Sequence, residues 1–472
     1  MHPSEALGNA QTTAQTSHGS SRSSTSPARP LSGDVSEVLQ VSEPRSKRNR
    51  AFTAAREPLQ HRRDLLLDAH RTRGPISFFN PTRAHFRPTN KSVNQTVLTT
   101  SDVPLRKSSK AGQPTSGVAY KWTSRNNRKG RHALAVTPTT PSSTYHTPPV
   151  TATLQQTLHG IRRMFTSFPI WDISYDVATI FTLGSIIWVI NAFFFFLPLV
   201  QPATQFPNEA LYGGGITAFI GATVFELGSL LLMAEAVNEN RKGCFGWALE
   251  RALTHGGPGD DGGEGSLRLR PSMPRCEHHH GNRGNLVGKG GATKQHASTA
   301  DDAGTSSWVW VPSQQELRTH YMHDLGFLAS FAQLLGASIF WISGLTALPG
   351  INDKMSPVVK IVFYWTPQVV GGTGFIVSGT LFMIETQSRW WKPAFGTLGW
   401  WIGAWNLVGG IGFTLCPAFG YSEQSWAQYQ ASLSTFWGSW AFLVGSVVQW
   451  YESLDKHPVE VDKFLGAREE TE

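Results

Sequence analysis

GATVFELGSLLLMAE (Gly221–Glu235), GGTGFIVSGTLFMIE (Gly371–Glu385) and GSWAFLVGSVVQWYE (Gly438–Glu452) are one phrase written three times without a gap. Each copy has Gly, then Phe four residues on, a small pair, Met or Trp, and a final Glu. At about 100° per residue, the Gly, the Phe, the first small residue and the Glu share one narrow helix face. An internal repeat of this kind sets the architecture before any other feature is read.

Around the three copies lie six apolar stretches, near 177–200, 212–236, 326–348, 361–384, 394–416 and 430–451. A spanning helix needs about 20 such residues. Their interiors lack Lys and Arg. The odd-numbered stretches repeat more loosely. Gly184–Asn191 aligns with Ala337–Gly344 and, more weakly, with Gly403–Gly410, and Pro198, Pro349 or Pro417 follows each. The sequence therefore predicts an all-α membrane protein, with six transmembrane helices as three pseudo-repeated hairpins. The hairpins cover 169–236, 323–387 and 388–455, with a flexible loop at 237–322 and a short tail at 456–472.

The 472 residues carry a formal charge of +8, unevenly placed. Residues 1–168 hold 24 Lys+Arg against 8 Asp+Glu. Scattered among Ser, Thr and Pro, these cations read as a disordered basic tail over 1–150 that is drawn to anionic lipid. Little aromatic residue is interleaved with them, so nucleic acid is not an expected partner. Leu154, Leu158, Ile161, Phe165 and Phe168 line one face of a predicted interfacial helix over 152–168, with Arg162 and Arg163 away from its centre. Lys and Arg cluster before the first span, after the second (Arg241, Lys242), after the fourth (Arg389, Lys392) and beyond the last (Lys456). The positive-inside rule then places both termini in the cytosol and leaves the sequons at Asn90 and Asn94 unused.

Three cysteines make no disulfide framework. The run Cys276–His280 matches no zinc spacing, and Gly284–Gly290 is not a phosphate loop because Gly, not Ser or Thr, follows Lys289. No cofactor is expected. Asp172 with Asp176, and His320 with Asp324 beside His323, are four-residue pairs ahead of odd spans, read as ordinary juxtamembrane residues.

Gly221 with Gly228, Gly371 with Ser378, and Gly438 with Gly445 put small residues seven apart, which lets helices approach closely in lipid. The same faces leave a homo-oligomer open. Glu235, Glu385 and Glu452 end the three copies and can meet water or nearby cations. Interfacial punctuation is the preferred reading, and a ring of acids forming a cation entry is the other. Glu226 breaks the repeat: its counterparts are Ile376 and Leu443. An acid about ten residues inside the membrane is a functional candidate, with Gln333, Asn406, Ser185 or Asn191 as expected partners.

FTLGSIIW (Phe181–Trp188) and FELGSLLLMAE (Phe225–Glu235) resemble the YrhK-like domain, and WVWVPSQQELRTHYMHDLGF (Trp308–Phe327) is similar to fungal membrane proteins bearing it. The resemblance covers about 170–455 and implies a membrane hairpin with Gly-Ser in each helix, without catalytic residues. Two functions follow. The first is a non-enzymatic packing or membrane-organising protein; the second is a small-ion or proton transporter using Glu226 and the terminal acids.

Overall fold

The computed structural model of the chain describes residues 65–88, 118–131, 133–136, 145–146, 150–170, 172–238, 267–268, 311–456 and 458–461. The phosphorylation candidates Ser26, Thr137, Thr140 and Thr147, both sequons, the 276–280 cluster and the 284–290 glycines lie outside them.

Strands β1 (Leu65–Arg73), β2 (Arg83–Pro88) and β3 (Val118–Thr123) lead into a one-turn helix α1 (Ser124–Arg128) and strand β4 (Ala133–Val136). Helix α2 (Leu154–Thr166) precedes the membrane domain. That domain is α3 (Ile173–Val200), α4 (Gly215–Val237), α5 (Leu325–Thr346), α6 (Thr366–Glu385), α7 (Leu398–Gly420) and α8 (Ser425–Leu454), followed by strand β5 (Val459–Val461).

With their lead-in turns, these six helices run 22–30 residues and are apolar enough to cross a bilayer. At 1.5 Å per residue that is about 33–45 Å, more than the hydrocarbon core requires. The membrane domain is all-α, as expected, and the chain is a polytopic membrane protein. Two helix starts follow directly from the sequence. Asp172 accepts from the Ser174 N–H at 3.0 Å, and Asp324 from the Phe327 N–H at 2.7 Å, each satisfying a donor left open in a first turn. Single π-helical turns, Ala210–Gly214 and Ile361–Trp365, lead into α4 and α6.

Each helix packs against its successor, and α8 closes back onto α3, making a ring of six. One aromatic side chain from each helix fills the axis. Phe225, Phe375 and Phe442 come from α4, α6 and α8, with centroids 5.5–6.4 Å apart. Trp188, Phe340 and Phe413 come from α3, α5 and α7, with centroids 4.9–5.7 Å apart. All six are buried, and mostly edge-on contacts suit their ring quadrupoles. The phenylalanines of the thrice-written phrase therefore meet one another.

The odd helices correct the alignment above. Trp188 stands with Phe340 and Phe413, each four residues after a glycine (Gly184, Gly336, Gly409). The sequence match had paired Trp188 with Trp341 and Leu407, one and six residues out of register. Small residues allow the close approach. A Cβ on Gly371 would sit 2.6 Å from the Gly336 carbonyl, and one on Gly438 would sit 3.2 Å from the Gly409 carbonyl. Gly221 accommodates Trp188, Gly228 accommodates Phe181, and Gly445 lies against Trp405, while Ser378 is buried.

The larger correction concerns the tail. Within 1–150, residues 65–88 and 118–136 are not a disordered tail but an antiparallel sheet in the order β1-β2-β3-β4, where described. Strand β5, which follows the membrane domain in sequence, joins in parallel beside β4. Ala84 and Phe86 on β2, like Ala133 and Ala135 on β4, are buried at alternate positions, as a strand with one covered face requires. Helix α2 keeps its expected stripe in the open, with Leu154 78 % and Phe165 69 % exposed, while Met164 packs on Tyr175 and Leu454.

Two substitutions test the axial packing. Phe442→Ala is expected to cost about 3–5 kcal/mol through cavity formation. Gly371→Leu should destabilise by separating α5 from α6. Val377→Ala, at an exposed position, should change stability by less than about 1 kcal/mol. Denaturant or thermal unfolding in micelles measures all three; equal effects at Phe442 and Val377 would refute the packing scheme.

Candidate functional site

Thr123-Ser-Arg-Asn-Asn-Arg-Lys-Gly-Arg131 is a helical turn with both ends written in the sequence. Thr123 Oγ1 accepts from the Asn126 N–H at 3.1 Å. At the other end the Gly130 N–H donates to the Asn127 carbonyl and the Arg131 N–H to the Asn126 carbonyl. That is a Schellman closure, with Gly130 at φ +59°, where a side chain would be strained. The turn brings Arg125, Arg128, Lys129 and Arg131 to the end of the ring where α4, α6 and α8 finish.

There the three glutamates of the repeat wait, only 1–2 % exposed. Arg128 grips Glu385 with two parallel bonds, Nη1 to Oε1 at 2.9 Å and Nη2 to Oε2 at 2.8 Å. Ser124 Oγ adds a third at 2.7 Å. Arg125 donates to Glu452 through Nη2 at 2.7 Å and through Nε at 3.3 Å. Arg131 reaches the same carboxylate at 2.9 Å and also bonds the Asp455 carbonyl at 2.7 Å. Forked guanidinium–carboxylate pairs are the strongest hydrogen bonds available here, and burial makes them indispensable once formed.

The third corner is weaker. Lys129 Nζ stands 3.6 Å from Glu235 Oε1, beyond hydrogen-bond range, and Ser174 Oγ supplies the short bond to that oxygen. Among the described residues Lys129 Nζ, Glu235 Oε2 and Arg128 Nε have no hydrogen-bond partner. Burial lowers the Lys129 pKa to about 8, only partly offset by Glu235. Burial opposes the charge on Arg128 as well, but Glu385 outweighs it and holds its pKa above the ordinary value.

The ring is shaped to admit these cations. A Cβ on Gly326 would overlap the Arg128 guanidinium, and one on Gly399 would lie 2.6 Å from Arg125 Nε. The Arg128 guanidinium also sits over the Phe382 ring at 5.5 Å. Lys456, paired with Asp172, donates to the Lys129 carbonyl at 2.9 Å and ties down the turn from behind. Between this basic cap and the Phe225–Phe442 layer is a cavity of about 30 Å³, walled by Gln333, Asn406, Ser446 and Gln449. That is room for about one water.

The sequence-predicted residues divide accordingly. Glu235, Glu385 and Glu452 are brought together at one end, as a repeat would demand, but they face the segment read as a tail instead of water or adjoining loops. Gln333 and Asn406 line the axial cavity, whereas Glu226 does not meet them. Its Oε1 accepts from Ser338 Oγ at 2.9 Å, at a half-buried position between α4 and α5, and its Oε2 is buried with no hydrogen-bond partner among the described residues. The reason is angular: Phe225 points to the axis, so its neighbour is turned about 100° away. Asp172 and Asp324 are helix caps, and His323 stacks near Phe78 at 5.3 Å. Among the described residues no group of three His, Cys, Asp or Glu is placed to hold a metal.

The four cations were missed because no membrane helix supplies them. Two signals pointed to them: the alternation in Val118–Trp122 and the Arg-Lys-Gly-Arg ending, which reads as a helix C-cap. No family model matches the chain, and neither does any curated protein or solved structure.

Glu385→Gln leaves Arg128 buried without its carboxylate and should cost about 3–5 kcal/mol, against less than about 1 kcal/mol for Glu226→Gln. Unfolding midpoints of the two variants decide it. Lys129 gives a pH signature of opposite sign to a lysine whose pKa is raised by an ion pair. Its unfolded pKa, near 10.5, lies above its folded value of about 8, so the unfolded chain holds more protons between those limits. The stability of the native protein relative to Lys129→Met should therefore rise from pH 8 to 10; a flat or falling difference would contradict this placement.

Proposed function

We propose that this protein is a non-enzymatic membrane scaffold. Its closed six-helix ring grips a sheet domain built from segments on both sides of the membrane domain in sequence. The observation that carries this reading is the capture of Glu235, Glu385 and Glu452 by Arg125, Arg128, Lys129 and Arg131. Acids held in buried ion pairs are not free for acid–base work, and six aromatic rings occupy the axis.

The same reading makes each helix pair, α3–α4, α5–α6 and α7–α8, one of three related hairpins, each contributing one Phe and one Glu. Their kinship with YrhK-like hairpins rests on Phe181–Trp188 and Phe225–Glu235. The capped end is cytosolic, on the strength of the Lys and Arg placement. Helix α2 lies on the leaflet through its exposed stripe, and the basic residues favour anionic lipid. Self-association would use the exposed apolar side chains of the ring, because its helix glycines are packed against neighbouring helices.

A second reading, transport of a small ion or proton, draws on the cavities that flank the aromatic layer. Glu226, its leading residue, opens onto neither of them.

Two measurements separate the readings. In hydrogen exchange, residues 118–136 should exchange at least tenfold faster in a Glu385→Gln/Glu452→Gln protein, with α3 to α8 still protected. Unchanged exchange would sink the scaffold reading. In proteoliposomes the native protein should pass no more ion than empty vesicles; flux that disappears in Glu226→Gln would establish the transporter instead.

A further inference from the structure

The opposite end of the ring holds a cavity of about 220 Å³, several times the volume of the one beneath the basic cap. Every membrane helix lends it a side chain: Asn191, Ala218, Ser343, Gln368, Cys416 and Thr435, in order from α3 to α8. Its floor is the Trp188, Phe340 and Phe413 layer. No Lys, Arg, His, Asp or Glu lines it. A charged ligand would have to shed its water with no counter-ion in reach, which is prohibitive. A wholly apolar occupant would strand the amides and hydroxyls on the wall.

The wall is also arranged, not merely vacant. Asn191 spends its amide N–H groups on the Gly214 carbonyl at 2.6 Å and on Thr217 Oγ1 at 2.9 Å. Gln368 donates to the Tyr364 carbonyl at 3.1 Å. Both amide orientations are thereby fixed, and both side-chain carbonyls face no donor among the described residues. Each anchoring carbonyl belongs to a π-helical turn, Gly214 in one and Tyr364 in the other. Such turns cost helical regularity and recur where a site must be shaped.

We propose that this cavity binds a small, uncharged, planar molecule: an aromatic or heteroaromatic ring that lies against the Trp188 floor and carries a donor for the fixed amide carbonyls. The volume equals roughly seven waters, which limits the ligand to about one ring with one polar substituent. Three probes of matched size isolate the claim. Benzamide is neutral and planar with a donor; benzoate and benzylamine carry opposite charges.

The full chain in nanodiscs, titrated calorimetrically, should bind benzamide saturably and at least tenfold more tightly than either charged analogue. Ser432→Phe, which fills the half-buried rim, should abolish binding while exchange at residues 118–131 stays native. Gln368→Leu removes a carbonyl at nearly constant volume and should weaken benzamide about tenfold. It serves independently if the phenylalanine variant does not fold. The proposal is overturned if benzamide fails to bind, if a charged analogue binds as well, or if both variants bind like the native protein.

Discussion

Three carboxylates sunk in the end of a helical ring must find cations, and the helices that carry them contain none. That constraint organises the molecule. A lone buried carboxylate is costly enough to be neutralised instead, so the charge survives only if donors are delivered in a matched geometry. The chain delivers them on a capped turn, where Gly130 reverses the backbone so that Arg128, Lys129 and Arg131 serve different corners. The sheet exists to hold that turn, and Lys456 and β5 fasten it from the other side of the sequence. Gly326 and Gly399 are small because guanidinium groups pass over them.

Below the cap the ring changes chemistry in layers. Ten residues, about 15 Å of helix, separate each Glu from its Phe. The polar cavity lies between them and the aromatic rings follow. The layers share the same angular face of the same helices, so one sequence phrase writes a charged rim and an apolar plug together. The three corners are nonetheless unequal. Two acids have arginine forks, while Glu235 has a lysine that burial discharges more readily.

The membrane half was legible because its signals are local. Apolar length located all six helices, and the Gly, Phe and Glu spacing identified an inward face. What could not be read locally was who answers the glutamates. Arg128 lies 257 residues from Glu385, and Arg131 lies 321 from Glu452. Composition misled for the same reason: averaged over 168 residues, Ser, Thr, Pro and Arg hide short strands such as Arg83–Pro88. The misplaced register of the odd helices arose from aligning the small pairs Gly184-Ser185, Ala337-Ser338 and Gly403-Ala404, whereas packing aligns the aromatic that follows each inward glycine. Glu226 attracted notice by chemistry alone, although its angular offset from Phe225 already turned it off the axis.

The distance in sequence between cap and acids also sets an order of events during synthesis. The turn bearing Arg131 leaves the ribosome long before Glu452 is made. At 5–20 residues per second, the 321 intervening residues represent roughly 15–60 s. Throughout that interval the basic turn has no complete receptor, and β4 has no β5 to cover its edge. The sheet domain must therefore wait, exposed, until the last helix is inserted. Its docking comes last in membrane assembly: only a ring with α4, α6 and α8 all in place presents the full set of acids that closes it.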